Sequence, residues 1–212
     1  MIRYFVEHLD LFGKAFMEHL YLVFITLFFS LILASFLSCL ILRRKWVSNL
    51  VVQIFSAVYS IPSLALFAIL IPLFGLGNRT AVLVLVVYNQ YLLIRNILAG
   101  IWNIDATVLE AGYGMGMSRW QLARIIQIPL AMPSILTGIR LAVISTTGIA
   151  TIAATINAGG LGTVLFSGLR TMNVYKIVWG TILSMVIALS ADVGLKKLEK
   201  LWREKGEAGG KQ

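Results

Sequence analysis

Five long apolar runs leave this chain few ways to fold. They cover residues 20–42, 50–76, 80–98, 133–156 and 174–193. A helix crosses the hydrocarbon layer of a membrane with about 20 mostly apolar residues. Only helices and closed barrels can do so, because every backbone N–H and C=O must find a partner inside the protein. The second run contains Pro62 and Pro72, the third holds Arg95 near its end, the fourth Arg140 and the fifth closes on Asp192. Of the 212 residues 59% are apolar and 13% charged, whereas a soluble domain has about a quarter of its residues charged. The expectation is an all-α membrane protein of about five transmembrane helices. It divides into an interfacial N-terminal segment (1–19), a transmembrane domain (20–194) and a basic tail (195–212).

A net charge of +9 on a soluble chain would suggest nucleic acid, but here the basic residues flank the apolar runs. Arg43, Arg44 and Lys45 follow the first run, Arg119 and Arg124 lie in the connection after the third, and Lys196, Lys197, Lys200, Arg203 and Lys205 follow the fifth. The opposite connections hold only Arg79, Arg170 and Lys176. Positive residues concentrate on the cytoplasmic side, so the N-terminus is expected outside and the C-terminus in the cytoplasm. Five spans agree with that. The charges of both signs before the first run differ from a signal peptide. Ile2, Phe5, Val6 and Leu9 suggest a short interfacial helix. Cys39, His8 and His19 are isolated, with no disulfide or metal spacing.

The connection after the third run is the long polar one: "EAGYGMGMSRWQLARIIQIPLAMP" spans residues 110–133. Asp105 is a suitable N-cap for a helix starting at Ala106, and Gly116 suits its left-handed close. Ser118 and Gln121 have the spacing of a capping box. They open a second helix through Trp120, Leu122, Ala123, Ile125 and Ile126, expected to end at Pro129. Gly112 and Gly114 each cost about 1 kcal/mol relative to alanine inside a helix. Either a partner approaches closely there, or the loop folds tightly on the spans.

Glu110-Ala111-Gly112, Gly116 and Ile126-x-Ile128-Pro129 closely resemble the E-A-A-x3-G-x9-I-x-L-P signature of ABC importer permeases. Gly112 replaces the second alanine and Ile128 the leucine. "SIPSLALFAILIPLFGLG" (60–77), "LLIRNILAGI" (92–101) and "IAATINAGGLGTVLFSGL" (152–169) are similar to the osmoprotectant branch, which imports glycine betaine, carnitine, choline or proline betaine. The resemblance implies the methionine-importer-like type I permease fold, and makes 105–129 the coupling loop that docks in an ATPase. It gives that role to Glu110, Ala111, Gly112, Gly116, Ser118, Arg119, Ile126 and Pro129. It further implies two ATPase copies binding ATP and Mg, a second permease copy or a homologue, and an extracytoplasmic binding (lipo)protein. The chain itself has no G-x-x-x-x-G-K-[ST] loop, so no cofactor is expected in it, nor an enzymatic activity or a nucleic-acid partner.

A quaternary ammonium is held by aromatic faces, and Tyr59, Tyr88, Tyr91 and Trp179 lie in or near the spans. Aromatics equally fill cores and mark interfaces. Pro62 and Pro72 interrupt the second span, for gating or for packing. Ser145, Thr146, Thr147, Gly148, Thr151 and Thr155 make the fourth span small and polar, which suits a subunit seam or a pathway wall. The candidate pathway residues are Tyr59, Pro62, Tyr88, Asn89, Thr146 and Thr151. Arg95, Arg140, Lys176 and Asp192 are expected to snorkel from span ends, and Gly159, Gly160 and Gly162 to allow a tight or re-entrant turn. The alternatives are an amino-acid or ergothioneine importer, a passive osmotic channel and, most remotely, an intramembrane enzyme.

Overall fold

The computed structural model describes residues 1–209; the last three residues of the expected tail, 210–212, lie outside the described residues. The helices in chain order are α1 (Ile2–Glu7), α2 (Leu9–Ile41), α3 (Lys45–Tyr59), α4 (Ser63–Phe74), α5 (Asn78–Trp102), α6 (Ala106–Gly114), α7 (Arg119–Gln121), α8 (Ile128–Ala153), α9 (Leu161–Arg170) and α10 (Val174–Gly209). A π-helical turn, Leu122–Gln127, joins α7 to α8, and a 3-10 turn, Ala154–Ile156, closes α8. Among the described residues four helices are long and apolar enough to span a membrane: α2, α5, the continuous rod Arg119–Ile156, and α10. The pair α3 and α4, bent by 95°, is long and apolar enough only when taken together, as a broken fifth span or a re-entrant pair.

The bend follows from Pro62. Its ring fixes φ, it has no N–H to give, and it drives the residue before it out of the helical region. The carbonyl of Ile61 accepts a hydrogen bond from the Tyr88 hydroxyl of α5. At the far end of α4 the Thr80 hydroxyl donates to the Gly75 carbonyl at 2.6 Å. Both ends of α4 are thus closed by α5. Pro72 sits inside α4 without interrupting it.

Packing follows membrane rules, in which bulk faces lipid and small residues face neighbouring helices. The buried stripe of α2 includes Ala15, Thr26, Ser30, Ala34 and Ser38, while Phe24, Phe28, Phe36 and Leu40 point outward. Helices α5 and α8 approach most closely where Gly138 lies against Asn96, and Gly100 against Ala131 and Ser134. Asn89, 1% exposed, donates to Thr146 Oγ1 at 2.8 Å and Ser30 Oγ at 3.2 Å, tying α5 to α8 and α2. Gln90 reaches the Ser30 carbonyl at 3.4 Å. The polar stretch Tyr88–Tyr91 is therefore largely a bundle fastening.

The expected boundaries shift at both ends. Helix α2 begins at Leu9, so half of the expected interfacial segment belongs to the first span. Helix α1 exists and leaves Ile2, Val6 and Leu9 exposed. Phe5 of the expected stripe and its neighbour Tyr4 stack on Trp179 and Tyr175 of α10. Residues 195–209 continue α10 as helix.

The charges expected at span ends find partners. Arg140 Nε lies 3.4 Å from Asp192 and its Nη1 3.5 Å from Glu199, bridging α8 to α10. Lys176 donates to the neutral Ser167 hydroxyl at 3.1 Å. Charged groups shielded from water need such partners.

The connection 157–160 makes the tight turn expected of its glycines and is held by α2, where Glu18 accepts from the Gly160 N–H at 3.0 Å; the next residue, His19, donates from Nε2 to the Thr147 carbonyl of α8 at 3.2 Å. Helix α9 then lies directly on the end of α8. A Cβ on Gly162 would stand 1.9 Å from the Thr151 carbonyl oxygen, a backbone atom that cannot yield. Gly162→Val should therefore destabilise the bundle by about 3 kcal/mol or more. A thermal melt in detergent measures this, with Gly13→Ala, which meets nothing within 4 Å, as the near-neutral control.

Candidate functional site

Two regions stand out, a corner projecting from the bundle and an open face beside it. The corner starts at Asp105, whose carboxylate accepts from the Thr107 N–H at 2.9 Å and caps α6. That amide holds the Asp105 carboxyl below its usual range. Helix α6 closes with Gly116 at φ +77°, where side chains are strained. Gly116 N–H bonds the Tyr113 carbonyl at 2.9 Å and Met117 N–H the Gly112 carbonyl at 3.2 Å, the paired bonds of a Schellman close. The Ser118–Gln121 capping box then forms in both directions, at 3.3 and 2.8 Å. The turn signals in the sequence are met residue by residue.

Pro129 does not end the second helix. The Ile128 N–H reaches back five residues to the Ala123 carbonyl, and Pro129 has no N–H to offer the next one. The register changes from π to α where the proline would otherwise collide with the preceding turn. The chain from Arg119 to Ile156 is one rod, and the loop is one short helix, a glycine corner and the start of that rod.

The structure brings the motif residues together unevenly. Gly112 is buried, and a Cβ there would meet Leu122 Cδ1 at 2.5 Å and Ile126 Cδ1 at 3.0 Å. This explains its glycine as a close approach of α6 to the π turn, and pairs Gly112 with Ile126. Glu110, Ala111, Gly116 and Arg119 are exposed, and Ser118 caps. Leu122 faces inward, whereas Tyr113, Met115 (68% exposed), Trp120 (70%) and Ile125 face outward. The sequence pattern did not separate those outward residues from the core.

The open face joins α3, α5 and α8. Tyr59 sits 5.3 Å from Tyr91 and 5.6 Å, edge-on, from Tyr88, measured between ring centroids. Its hydroxyl lies 3.3 Å from Ser145 Oγ. Tyr88, Asn89 and Thr146 are buried in the bundle, and Pro62 is exposed at the bend. Gly148 and Thr155 are exposed and Thr151 half-buried, with both threonine hydroxyls bonded to carbonyls of their own helix. Trp179 is elsewhere, against Phe5. Tyr91, named above among the aromatics for an ammonium but not among the candidate pathway residues, joins the face, as does Arg95.

A broken span, a glycine-cornered loop at one end and a small-residue helix on an open face define the class: a polytopic membrane transport subunit. Residues 20–204 match the model of the binding-protein-dependent transport system inner membrane component family, and the chain belongs to that family. It is 35% identical over 201 residues to the carnitine transport permease protein OpuCD of Listeria monocytogenes, covering 94% of this chain and 90% of that one. The osmoprotectant import permease protein OsmW of Salmonella typhimurium is 33% identical over 210 residues, 97% and 98% of the two chains. In fold the chain is similar to the inward-facing MetNI methionine ABC transporter, with a TM-score of 0.83 at 18% identity over 92% of this chain and 98% of that one. An amino acid ABC transporter chain gives 0.71 at 20% identity, over 94% and 96%.

The lowered Asp105 pKa gives the corner a pH dependence. A carboxylate whose folded pKa is depressed stabilises fully above its unfolded pKa and loses that contribution as pH falls through the folded value. Amide exchange at Thr107 should accelerate on acidification below the usual carboxylate range, beyond its intrinsic pH dependence. Asp105→Asn, which caps without titrating, should remove the transition.

Proposed function

We propose that this chain is the membrane-spanning permease subunit of an ATP-driven importer of quaternary-ammonium osmolytes: glycine betaine, carnitine, choline or proline betaine. Its relatives are permeases of carnitine and osmoprotectant transport by name. The observation that carries the coupling role is the corner from Asp105 to Pro129. It is fully capped, folded on Gly112, and presents Tyr113, Met115, Trp120 and Ile125 outward. A rigid, self-satisfied corner with a contiguous apolar surface suits a protein partner, and its residues follow the ATPase-docking signature.

In this reading the partner ATPase, present in two copies, binds ATP and Mg and seats Glu110, Ala111, Gly112, Gly116, Ser118, Arg119, Ile126 and Pro129 on each permease. A second copy or a homologue completes the pathway, and an extracytoplasmic binding protein delivers the solute. The N-terminus lies outside and the C-terminus in the cytoplasm, as the basic residues at the ends of α2 and α10 favour.

Gly116→Val tests the coupling. Its Cβ meets nothing within 4 Å, so the variant strains only the left-handed corner. Uptake in reconstituted vesicles should fall about tenfold, the scale of a 1–2 kcal/mol conformational penalty, while the bundle inserts normally and the ATPase still turns over. Unchanged uptake refutes the coupling role, and flux without any ATPase favours the channel.

A further inference from the structure

Arg95 does not behave as a boundary charge. It starts roughly 10 Å short of the end of α5 at Trp102. Its guanidinium turns away from that end, Nη1 donating to the Tyr91 hydroxyl at 2.7 Å and Cζ standing 5.7 Å from the Tyr91 ring centroid. The helix favours that direction, because its side chains lean toward the N-terminus and meet the residue four back; what sets Arg95 apart is the company on its face. Arg95 is exposed, and half-buried Tyr91, Tyr59 and Ser145 share its face.

This face offers two chemistries side by side. The rings attract a quaternary ammonium, which has no hydrogen bond to give. The guanidinium fork fits a carboxylate. We propose that Arg95 is a specificity-determining residue of the pathway, selecting zwitterionic betaines over a carboxylate-free cation such as choline. The proposal rests on the osmolyte reading above. In the structure Arg95 bonds a neutral phenol oxygen; a betaine carboxylate offers a charge-assisted pair instead. The guanidinium shifts onto that carboxylate and uncovers the Tyr91 face for the ammonium. Choline cannot draw the guanidinium away, and the retained positive charge opposes its approach.

The test is uptake of labelled glycine betaine and choline by the importer reconstituted with its ATPase and binding protein. Each variant is compared with wild type over the same binding protein, so that protein's own preference cancels. Arg95→Gln should lower glycine betaine uptake about tenfold, the scale of one hydrogen bond to a charged group, while choline uptake holds or rises. Arg95→Lys should restore part of the betaine uptake, and Tyr91→Phe, which keeps the ring, should leave the betaine-to-choline ratio near wild type. An unchanged ratio in Arg95→Gln, or equal loss of both solutes, overturns the proposal. Should Arg95→Gln fail to assemble with the ATPase, an unchanged ratio in Arg95→Lys overturns it equally. A wild-type importer that moves neither solute overturns the osmolyte reading and this inference with it.

Discussion

The structure depends on one constraint, that a backbone crossing an apolar layer must satisfy its own hydrogen bonds. The second span breaks that condition at Pro62 and cannot stand alone. Tyr88 and Thr80, both on α5, restore it at the two ends of α4. Helix α5 therefore has to lie beside the break. That position brings Tyr59, at the end of α3, against Tyr88 and Tyr91. One proline thus sets the bend, and the bend gathers the aromatic group.

The remaining packing uses small residues where a soluble protein would use large ones. Lipid tails are as apolar as leucine, so burying leucine gains little and close contact between helices gains more. Ser30, Asn89 and Thr146 meet at the junction of α2, α5 and α8, where hydroxyl and amide groups satisfy one another. The same logic separates the two sides of α8. Thr146 and Thr147 are buried, while Gly148 and Thr155 remain on the open face.

The features legible in the sequence were those with local physical causes. Apolar length gave the spans, and Asp105, Gly116, Ser118 and Gln121 gave a corner that the structure reproduces bond by bond. Non-local features were hidden. Pro129 was expected to end a helix, but a π turn absorbs it because the rod continues into the bundle. Asn89 and Thr146 look alike as span polar residues whether they line a pathway or fasten helices, and only their burial tells them apart. Arg95 looked like a snorkelling charge because its direction depends on Tyr91, one turn back on the same helix.

The proposed coupling acquires a physical route from the rod. Arg119 to Ile156 is 38 residues of continuous helix, about 57 Å at 1.5 Å per residue. Its beginning leaves the Gly116 corner, and its far half carries Ser145, Gly148 and Thr151 on the open face. A tilt imposed at the corner reaches that face without a chain of intervening contacts, because helices move as stiff bodies. The compliant element is the π turn, whose wider register holds fewer well-aligned bonds than the α-helix on either side. It lies directly over Gly112, so the packing of Leu122 and Ile126 on α6 decides whether a push on the corner tilts the rod or only flexes the turn. An alanine at position 112 would press on Leu122 Cδ1 and Ile126 Cδ1, so the glycine keeps that approach close. In the proposed coupling the stiffness is therefore set by the packing of Leu122 and Ile126 at the base of one helix.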